Sequence, residues 1–208
     1  MNGRYAAENA VCHVSETAMI FIDREPHGID ADVFLEDDYG GADLAVRHLI
    51  ELGHRRIAFL GANDAVATTS RRLEGFKAAY QAAGVPLDES LILLAGPGLI
   101  SDMLTRTLSG QTPPTAIFSS NSRTSIEIIP TLQQLGRTDL AMVGFGDFPM
   151  ASALQPAVSV IDQNPSRLGR ATAERAINRL SQSQATFERR IVFQVNLIRR
   201  ASSRPIEG

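Results

Sequence analysis

Short apolar runs and amphipathic segments alternate along most of this chain. Five apolar residues recur at the helical spacing i, i+3, i+4, i+7 and i+8: Ala42, Ala45, Val46, Leu49 and Ile50. Gly53 ends this helix because glycine accepts a positive φ, and residues 57–60 that follow are apolar throughout. Such a short apolar run predicts a strand buried on both faces, which is typical of a parallel sheet flanked by helices.

The same pattern predicts the other elements. Predicted strands cover residues 19–22, 33–35, 91–94, 115–118, 140–143 and 158–161. Predicted helices cover residues 5–17, 99–108, 123–135 and 167–180. A further predicted helix has Phe76, Ala79, Tyr80 and Ala83 on one face. Pro130 is expected to kink or divide the helix that contains it. Residues 191–193 and 195–198 are expected to form a terminal strand or hairpin.

Strand and helix alternate regularly from residue 57 to residue 143, which predicts an α/β fold with a doubly wound parallel sheet. In such a sheet, ligands bind beyond the carboxyl ends of the strands. The residues expected at that edge are 23–24, the loop before Arg72, 119–122 and 145–148. The acidic run 36–38 either caps the following helix, through Asp38, or contacts a ligand.

Composition restricts the class of protein further. The 208 residues are 44% hydrophobic, which is enough for a packed core, and no apolar run approaches the ~20 residues that span a bilayer. The N-terminus lacks the pattern of a signal peptide, and the single cysteine, Cys12, is interpreted as a buried, inert thiol. These features predict a soluble protein of the reducing cytoplasm with no membrane partner.

Neither the charge nor the motifs indicate a DNA-contacting module or an enzyme. The net charge is −3, and the arginine pairs are scattered among acidic residues. The sequence contains no Gly-x-Ser-x-Gly elbow, phosphate loop, His-Glu-x-x-His motif or cysteine pair, and its histidines are not spaced as a metal-ligand cluster. The sequence therefore predicts a protein without catalytic residues, cofactor or metal.

Several motifs follow one another at characteristic spacings, at residues 22–24, 37–38 with Gly40, 48–60, 72–76, 114–118 with Asn121, 143–145 and 197–203. Together they resemble the effector-binding domain of the lac-repressor (LacI) family of bacterial transcription regulators. The stretch Gly-His-Arg-Arg-Ile-Ala at 53–58 and the ending Arg-Ala-Ser-Ser at 200–203 favour a regulator. An exported or orphan sugar-binding protein of the same fold is the alternative.

The resemblance implies a periplasmic-binding-protein-like type I fold, in which two α/β subdomains with doubly wound parallel sheets close on a small molecule. The first would comprise residues 1–52 and 162–185, and the second residues 53–161 and 186–203, with a tail at 204–208. The chain would cross between the two near Gly53.

The resemblance also implies partners. They are a homodimer, a sugar or related metabolite as effector, and operator DNA bound through a helix-turn-helix headpiece that these residues do not include. Binding of the effector would change operator binding allosterically.

Residues 20–24 resemble a strand that comes late in the family's N-terminal subdomain, so the first subdomain is expected to be incomplete. The missing part would uncover apolar faces of the strands at Ile20 and Val33 and of the helix at Arg167. Such surfaces normally exist as core or interface. The chain is therefore expected to be a fragment or truncated product of a longer regulator, or to associate through those faces.

The resemblance also implies a set of ligand-binding residues: Arg72, Asn121, Asp23, Arg24, Phe145, Asp147 and Gln163. Arg72 matches a family arginine that reaches effector oxygens, to which a guanidinium offers a fork of donors. Asn121 matches an effector-contacting asparagine, whose amide can both donate and accept. Asp23 either faces the cleft or caps a turn, and Gln163 either faces the cleft or bridges the hinge.

Two positions depart from the family pattern. Ser122 stands where an aspartate commonly occurs, and Gly146 where an aspartate binds sugar hydroxyls in relatives. An effector with fewer hydroxyls, an anion drawn to the arginines, or a purine stacked on Phe145 or Phe148 are therefore alternatives to an ordinary monosaccharide. An Arg72→Ala substitution is expected to abolish effector binding and leave the thermal unfolding of the unliganded protein nearly unchanged.

Overall fold

The computed structural model describes residues 19–63, 66–96, 98–181 and 187–206. The predicted helix at residues 5–17 and Cys12 lie outside the described residues. The strands are β1 (Ile20–Ile22), β2 (Asp32–Glu36), β3 (Ile57–Gly61), β4 (Ile92–Leu94), β5 (Ala116–Ser119), β6 (Ala141–Phe145), β7 (Ser159–Asp162), β8 (Arg190–Phe193) and β9 (Asn196–Ile198). The helices are α1 (Asp38–Glu51), α2 (Ala67–Ala82), α3 (Ile100–Leu108), α4 (Ser122–Gln134) and α5 (Pro165–Ser181), with a 3-10 turn at Glu89–Leu91. Pro130 lies inside α4, which is not divided there.

The strands form two sheets. β1, β2 and β8 make a parallel three-stranded sheet in the order β1-β2-β8. The other strands lie in the order β4-β3-β5-β6-β7-β9 and are parallel except for β9, which runs antiparallel to β7. The predicted α/β class with parallel sheets is confirmed.

Successive residues of the buried strands face opposite cores. Ile57 and Phe59 of β3 pack into the core that includes α1 and α2, whereas Ala58 and Leu60 pack into the core that includes α3 and α4. This burial on both sides explains why the strand is a continuous apolar run and does not alternate. Helices therefore cover both faces of the six-stranded sheet.

The path of the chain between the sheets differs from the prediction in two places. α1 packs through Ala42 and Val46 into the core of the six-stranded sheet, so the chain crosses at residues 36–38 and not near Gly53. The last strands also divide, because β8 pairs with β2 and β9 pairs with β7; residues 190–198 form no hairpin and belong to both sheets. Hydrophobic periodicity identifies such elements but does not say which sheet each one completes.

The first turn of α1 is capped by Asp37 and not by Asp38. The Asp37 side chain accepts a hydrogen bond from the backbone N–H of Gly40, with Oδ1 and N 2.8 Å apart. A Cβ at position 40 would lie 2.3 Å from that carboxylate, so glycine suits the position. Asp38, one residue further along, is buried and forms an ion pair inside the protein.

The apolar faces that were expected to be uncovered are exposed only in part. Val33 is 5% exposed and the whole of β2 is buried between β1 and β8; the Arg175 guanidinium lies 5.3 Å from the Phe34 ring on the other face of the strand. On α5, by contrast, Ile177 and Leu180 are 63% and 85% exposed. The central strand of the small sheet is therefore covered, whereas its helix presents apolar side chains to solvent.

Candidate functional site

A cavity of about 480 Å³ lies at the carboxyl ends of strands from both sheets. Some of the residues that line it end a strand or follow one closely: Asp23, Glu36, Gly61, Ala95, Asn121 and Gln163. Parallel strands direct their carboxyl ends to the same edge, so residues from distant parts of the chain converge there. The volume falls within the usual range of small-molecule sites, about 300–1,000 Å³.

Arg72 lies on the wall of this cavity, and its side chain is held on three sides. Its Nε donates to Asp38 Oδ1 at 2.7 Å, and one Nη donates to the carbonyl oxygen of Ser120 at 2.6 Å. Its Cζ lies 3.8 Å from the centre of the Phe145 ring. A guanidinium carries more N–H donors than these hydrogen bonds use. The group is therefore fixed in place and keeps donors for a molecule in the cavity.

The ion pair between Arg72 and Asp38 is buried, with each side chain 7% exposed. Burial raises the pKa of Asp38, and the charge and hydrogen bond of the Arg72 guanidinium oppose this shift. The charge of Asp23 raises the pKa of Asp38 further. Each member of the pair therefore depends on the other for the stability of its charge.

Phe145 supports Arg72 and does not face the cavity. Its ring is fully buried beneath the guanidinium. Phe148 is also buried and packs in the core that includes α3 and α4. Because both rings are packed into cores, their positions do not support a purine stacked on Phe145 or Phe148, which was one of the alternatives to a monosaccharide.

Asn121 lines the cavity and also caps α4. Its Oδ1 accepts a hydrogen bond from the backbone N–H of Thr124 at 2.8 Å, and its Nδ2 lies 3.4 Å from Ser120 Oγ. The amide oxygen thus satisfies a free N–H of the first helical turn. The amide nitrogen remains the group through which Asn121 can bind a ligand.

Asp23 and Arg24 follow β1 and line the cavity. Asp23 has a φ of +67°, a left-handed conformation that aspartate tolerates better than most residues. Its carboxylate lies 3.9 Å from Arg24 Nε, and the side chains are 43% and 72% exposed, so this ion pair is weak. Both residues also line an adjoining cavity of about 530 Å³.

Gln163 lines the cavity, whereas Asp147 is not among the lining residues. The Asp147 carboxylate accepts hydrogen bonds from Arg200 at 2.7 and 3.1 Å, which lower the pKa of Asp147. Gly146, which precedes Asp147 in the chain, has a φ of +87°. A Cβ at position 146 would lie 2.8 Å from Gln163 Oε1. The ion pair with Arg200 therefore accounts for the departure of Asp147 from its predicted place, and Gly146 leaves room for Gln163.

Glu36 is a cavity residue that the sequence suggested only as part of an acidic run. It is the last residue of β2 and is 7% exposed, and its Oε2 has no hydrogen-bond partner among the described residues. Burial raises the pKa of Glu36 and the charges of Asp23 and Asp38 raise it further, whereas the charge of Arg72 and a hydrogen bond from Gln163 oppose this shift. The signal that could have distinguished Glu36 is an acid within a buried strand, one residue before the helix cap.

No three His, Cys, Asp or Glu side chains are grouped so as to hold a metal ion in the part of the chain that the structure describes. Among those same residues, none of the helices has the length and apolar character needed to cross a membrane.

Comparison with known proteins agrees with this fold. Residues 46–203 match the family model of a periplasmic binding protein-like domain. A regulatory protein of the LacI family from Chloroflexus aggregans has a similar structure, with a TM-score of 0.79 and 30% sequence identity. The match covers 88% of this chain and 68% of that one. The fold is that of a periplasmic binding protein-like domain.

The chain belongs to the LacI family, which confirms the resemblance seen in its sequence. The transcriptional regulator DegA of Bacillus subtilis (strain 168) is 30% identical over 179 residues, which are 84% of this chain and 53% of DegA. The complex of the transcriptional regulator CelR with cellobiose has a TM-score of 0.75 and 26% identity, and the match covers 88% of this chain and 58% of that one. The chain spans about half the length of the curated relatives it matches, which are named as regulators and not as enzymes.

Proposed function

We propose that this chain is the effector-sensing domain of a bacterial transcriptional regulator, and that a small polar metabolite such as a sugar binds in the cavity beside Arg72. The observation that carries the proposal is the position of the Arg72 guanidinium, which is buried, bound to Asp38 and Ser120, and stacked on Phe145 where the strands end. A guanidinium held in this way loses little side-chain entropy when it binds ligand oxygens.

The proposed ligand contacts line one cavity: Arg72, Asn121, Asp23, Arg24 and Gln163. They supply both donors and acceptors, and sugar hydroxyls can pair with such a mixed set because each hydroxyl both donates and accepts. The structure of CelR with cellobiose supports a sugar as the class of ligand. In this scheme Phe145 acts through Arg72 and makes no direct contact.

Binding between the two sheets supports allosteric signalling. The sheets are joined by residues 36–38, 162–165 and 193–196. A molecule that contacts both sides favours one relative position of the sheets, and it transmits a signal only through its difference in affinity for the two states. In the proposed regulator, a cytoplasmic homodimer converts this difference into a change of operator binding through a helix-turn-helix headpiece.

Isothermal titration calorimetry with a panel of monosaccharides and disaccharides tests the site. The double variant Asp38→Asn/Arg72→Gln removes both charges of the buried pair, so that neither is left unpaired. We expect it to lose at least about tenfold in affinity, or about 1.4 kcal/mol. Arg71→Ala, a change at the exposed neighbouring arginine, is expected to bind as the unaltered protein does. Unchanged binding by the double variant would exclude Arg72 from the site.

An exported or orphan sugar-binding protein of the same fold is the alternative function. It would use the same cavity, so ligand affinity does not separate the two. The genomic sequence upstream of the codon for Met1 does: a continuing frame with a helix-turn-helix supports the regulator, and a signal peptide supports the exported protein. Sedimentation of the resulting full-length product, with and without operator DNA, then tests the homodimer.

A further inference from the structure

Glu36 forms no ion pair with any side chain of the described residues, although the charge of Arg72 lowers its pKa. Glu36 is 7% exposed, lines the cavity at the end of β2, forms no ion pair there, and has an Oε2 without a hydrogen-bond partner in those same ranges. A buried polar atom without a partner costs about 1–3 kcal/mol, and more when it is charged. In the unliganded protein, no donor among the described residues therefore satisfies Oε2 of Glu36.

The acidic residues around Glu36 add to the cost of burying its charge. The nearest buried cation, Arg72, is already paired with Asp38. Burial raises the pKa of Glu36, and the like charges of Asp23 and Asp38 raise it further, whereas the charge of Arg72 and a hydrogen bond from the neutral Gln163 lower it. Two buried carboxylates thus share one guanidinium, and the site holds an excess of negative charge.

A second carboxylate that lines the cavity also has an oxygen without a partner. Glu127 on α4 lines the cavity, and its Oε1 also lacks a hydrogen-bond partner among the residues described. The other arginines at the cavity, Arg24 and Arg123, have exposed side chains, so solvent weakens their effect on the interior. Glu36 and Glu127, which both line the cavity, therefore each have one buried carboxylate oxygen without a hydrogen-bond partner among the described residues.

We propose that Glu36 binds a protonated amine of the ligand, and that the effector is an amino sugar or another amine-bearing polyol. The inference rests on the proposed function of the cavity. A hydroxyl would donate one hydrogen bond to the Glu36 carboxylate but would leave its buried charge, whereas an ammonium group supplies several donors and a positive charge together. Arg72 then binds oxygen atoms elsewhere on the same molecule.

Calorimetry at pH 7 with matched ligands tests this assignment. The pairs are D-glucosamine with D-glucose, D-galactosamine with D-galactose and D-mannosamine with D-mannose, and the N-acetyl forms keep the nitrogen without its charge. We expect an amino sugar to bind at least about tenfold more tightly than its parent sugar and its N-acetyl form, a difference of about 1.4 kcal/mol. In Glu36→Gln, which keeps the size of the side chain, we expect the preference to fall to within about twofold. Glu74→Gln, at an exposed position on α2, is the matched control and is expected to retain the preference.

The outcomes separate this inference from the proposed function. If a neutral sugar binds as tightly as its amine, or if Glu36→Gln keeps the preference, the amine assignment is overturned and the sensing function stands. If no member of the panel binds at millimolar concentration, both proposals are rejected for this cavity.

Discussion

Arg72 on α2 and Asp38 at the start of α1 form a buried ion pair, with Nε and Oδ1 2.7 Å apart. The pair joins the two helices that cover one face of the six-stranded sheet, and it lies beside the cavity. Arg72 therefore has a structural role as well as its proposed role in binding. This changes the expectation that its removal would leave unfolding unaltered.

We predict that Arg72→Ala lowers the free energy of unfolding by about 3–5 kcal/mol, because it leaves the Asp38 carboxylate buried and unpaired. Unfolding in urea, followed by circular dichroism, measures the change. Asp38→Asn/Arg72→Gln should be less destabilised, and Arg71→Ala should stay within about 0.5 kcal/mol of the unaltered protein. Equal stabilities for Arg72→Ala and Arg71→Ala would contradict a buried pair.

Glu36→Gln is expected to stabilise the unliganded protein at pH 7 by about 1 kcal/mol, because it removes an unpartnered buried charge. In the folded protein the pKa of Glu36 is raised above its ordinary value of 4.5, so its stabilising contribution is complete below pH 4.5 and is lost as the pH rises through the folded pKa. The advantage of the variant should therefore disappear below about pH 4.5, as Tm values from pH 4 to pH 8 would show. A less stable variant at pH 7 would mean that the carboxylate has a partner after all.

Asp32 contributes to the free energy of unfolding with the opposite pH dependence. Its carboxylate accepts hydrogen bonds from Arg179 at 2.8 Å and lies 3.0 Å from Arg175; Arg179 contributes most to lowering the pKa of Asp32 below 3.8. A lowered pKa means stability that is present above pH 3.8 and is lost as the pH falls through the folded value. Asp32→Asn should therefore cost about 3–5 kcal/mol at pH 7.

The difference in unfolding free energy between the unaltered protein and Asp32→Asn should be constant from pH 7 to about pH 5 and should shrink below pH 3.8. Asp102→Asn, at an exposed position on α3, serves as the control and should show no comparable change. A difference that persisted unchanged at low pH would show that the ion pairs are not its origin.

Gly75 allows α1 and α2 to pack closely. A Cβ at this position would lie 2.2 Å from the carbonyl oxygen of Tyr39, which is backbone and cannot move aside as a flexible side chain can. Gly75→Ala should therefore separate the helices and destabilise the protein by about 1–3 kcal/mol. Gly169→Ala on α5 has open space and should be neutral or stabilising by up to about 1 kcal/mol. Equal effects of the two substitutions on unfolding in urea would rule out close packing at Gly75.

Much of the fold could be predicted from hydrophobic pattern. The strand at 57–60 and the helix that ends before Gly53 were recognisable because each buries a continuous or helically spaced set of apolar residues. The edge at which the cavity forms was also predictable, since the carboxyl ends of parallel strands converge. Arg72, Asn121, Asp23, Arg24 and Gln163 all line that cavity; their contact with a ligand remains a proposal.

Long-range packing determined how the last strands pair and which partner each acidic side chain has. No local pattern shows that β8 and β9 join different sheets, because both are short and each completes a ladder with strands far away in sequence. The same holds for the acids: Asp37 caps its helix, Asp147 binds Arg200, and Glu36 stays without a partner at Oε2 among the described residues. Residue type and spacing define which groups can carry charge, whereas the partner that neutralises each charge depends on contacts formed only when distant segments pack together.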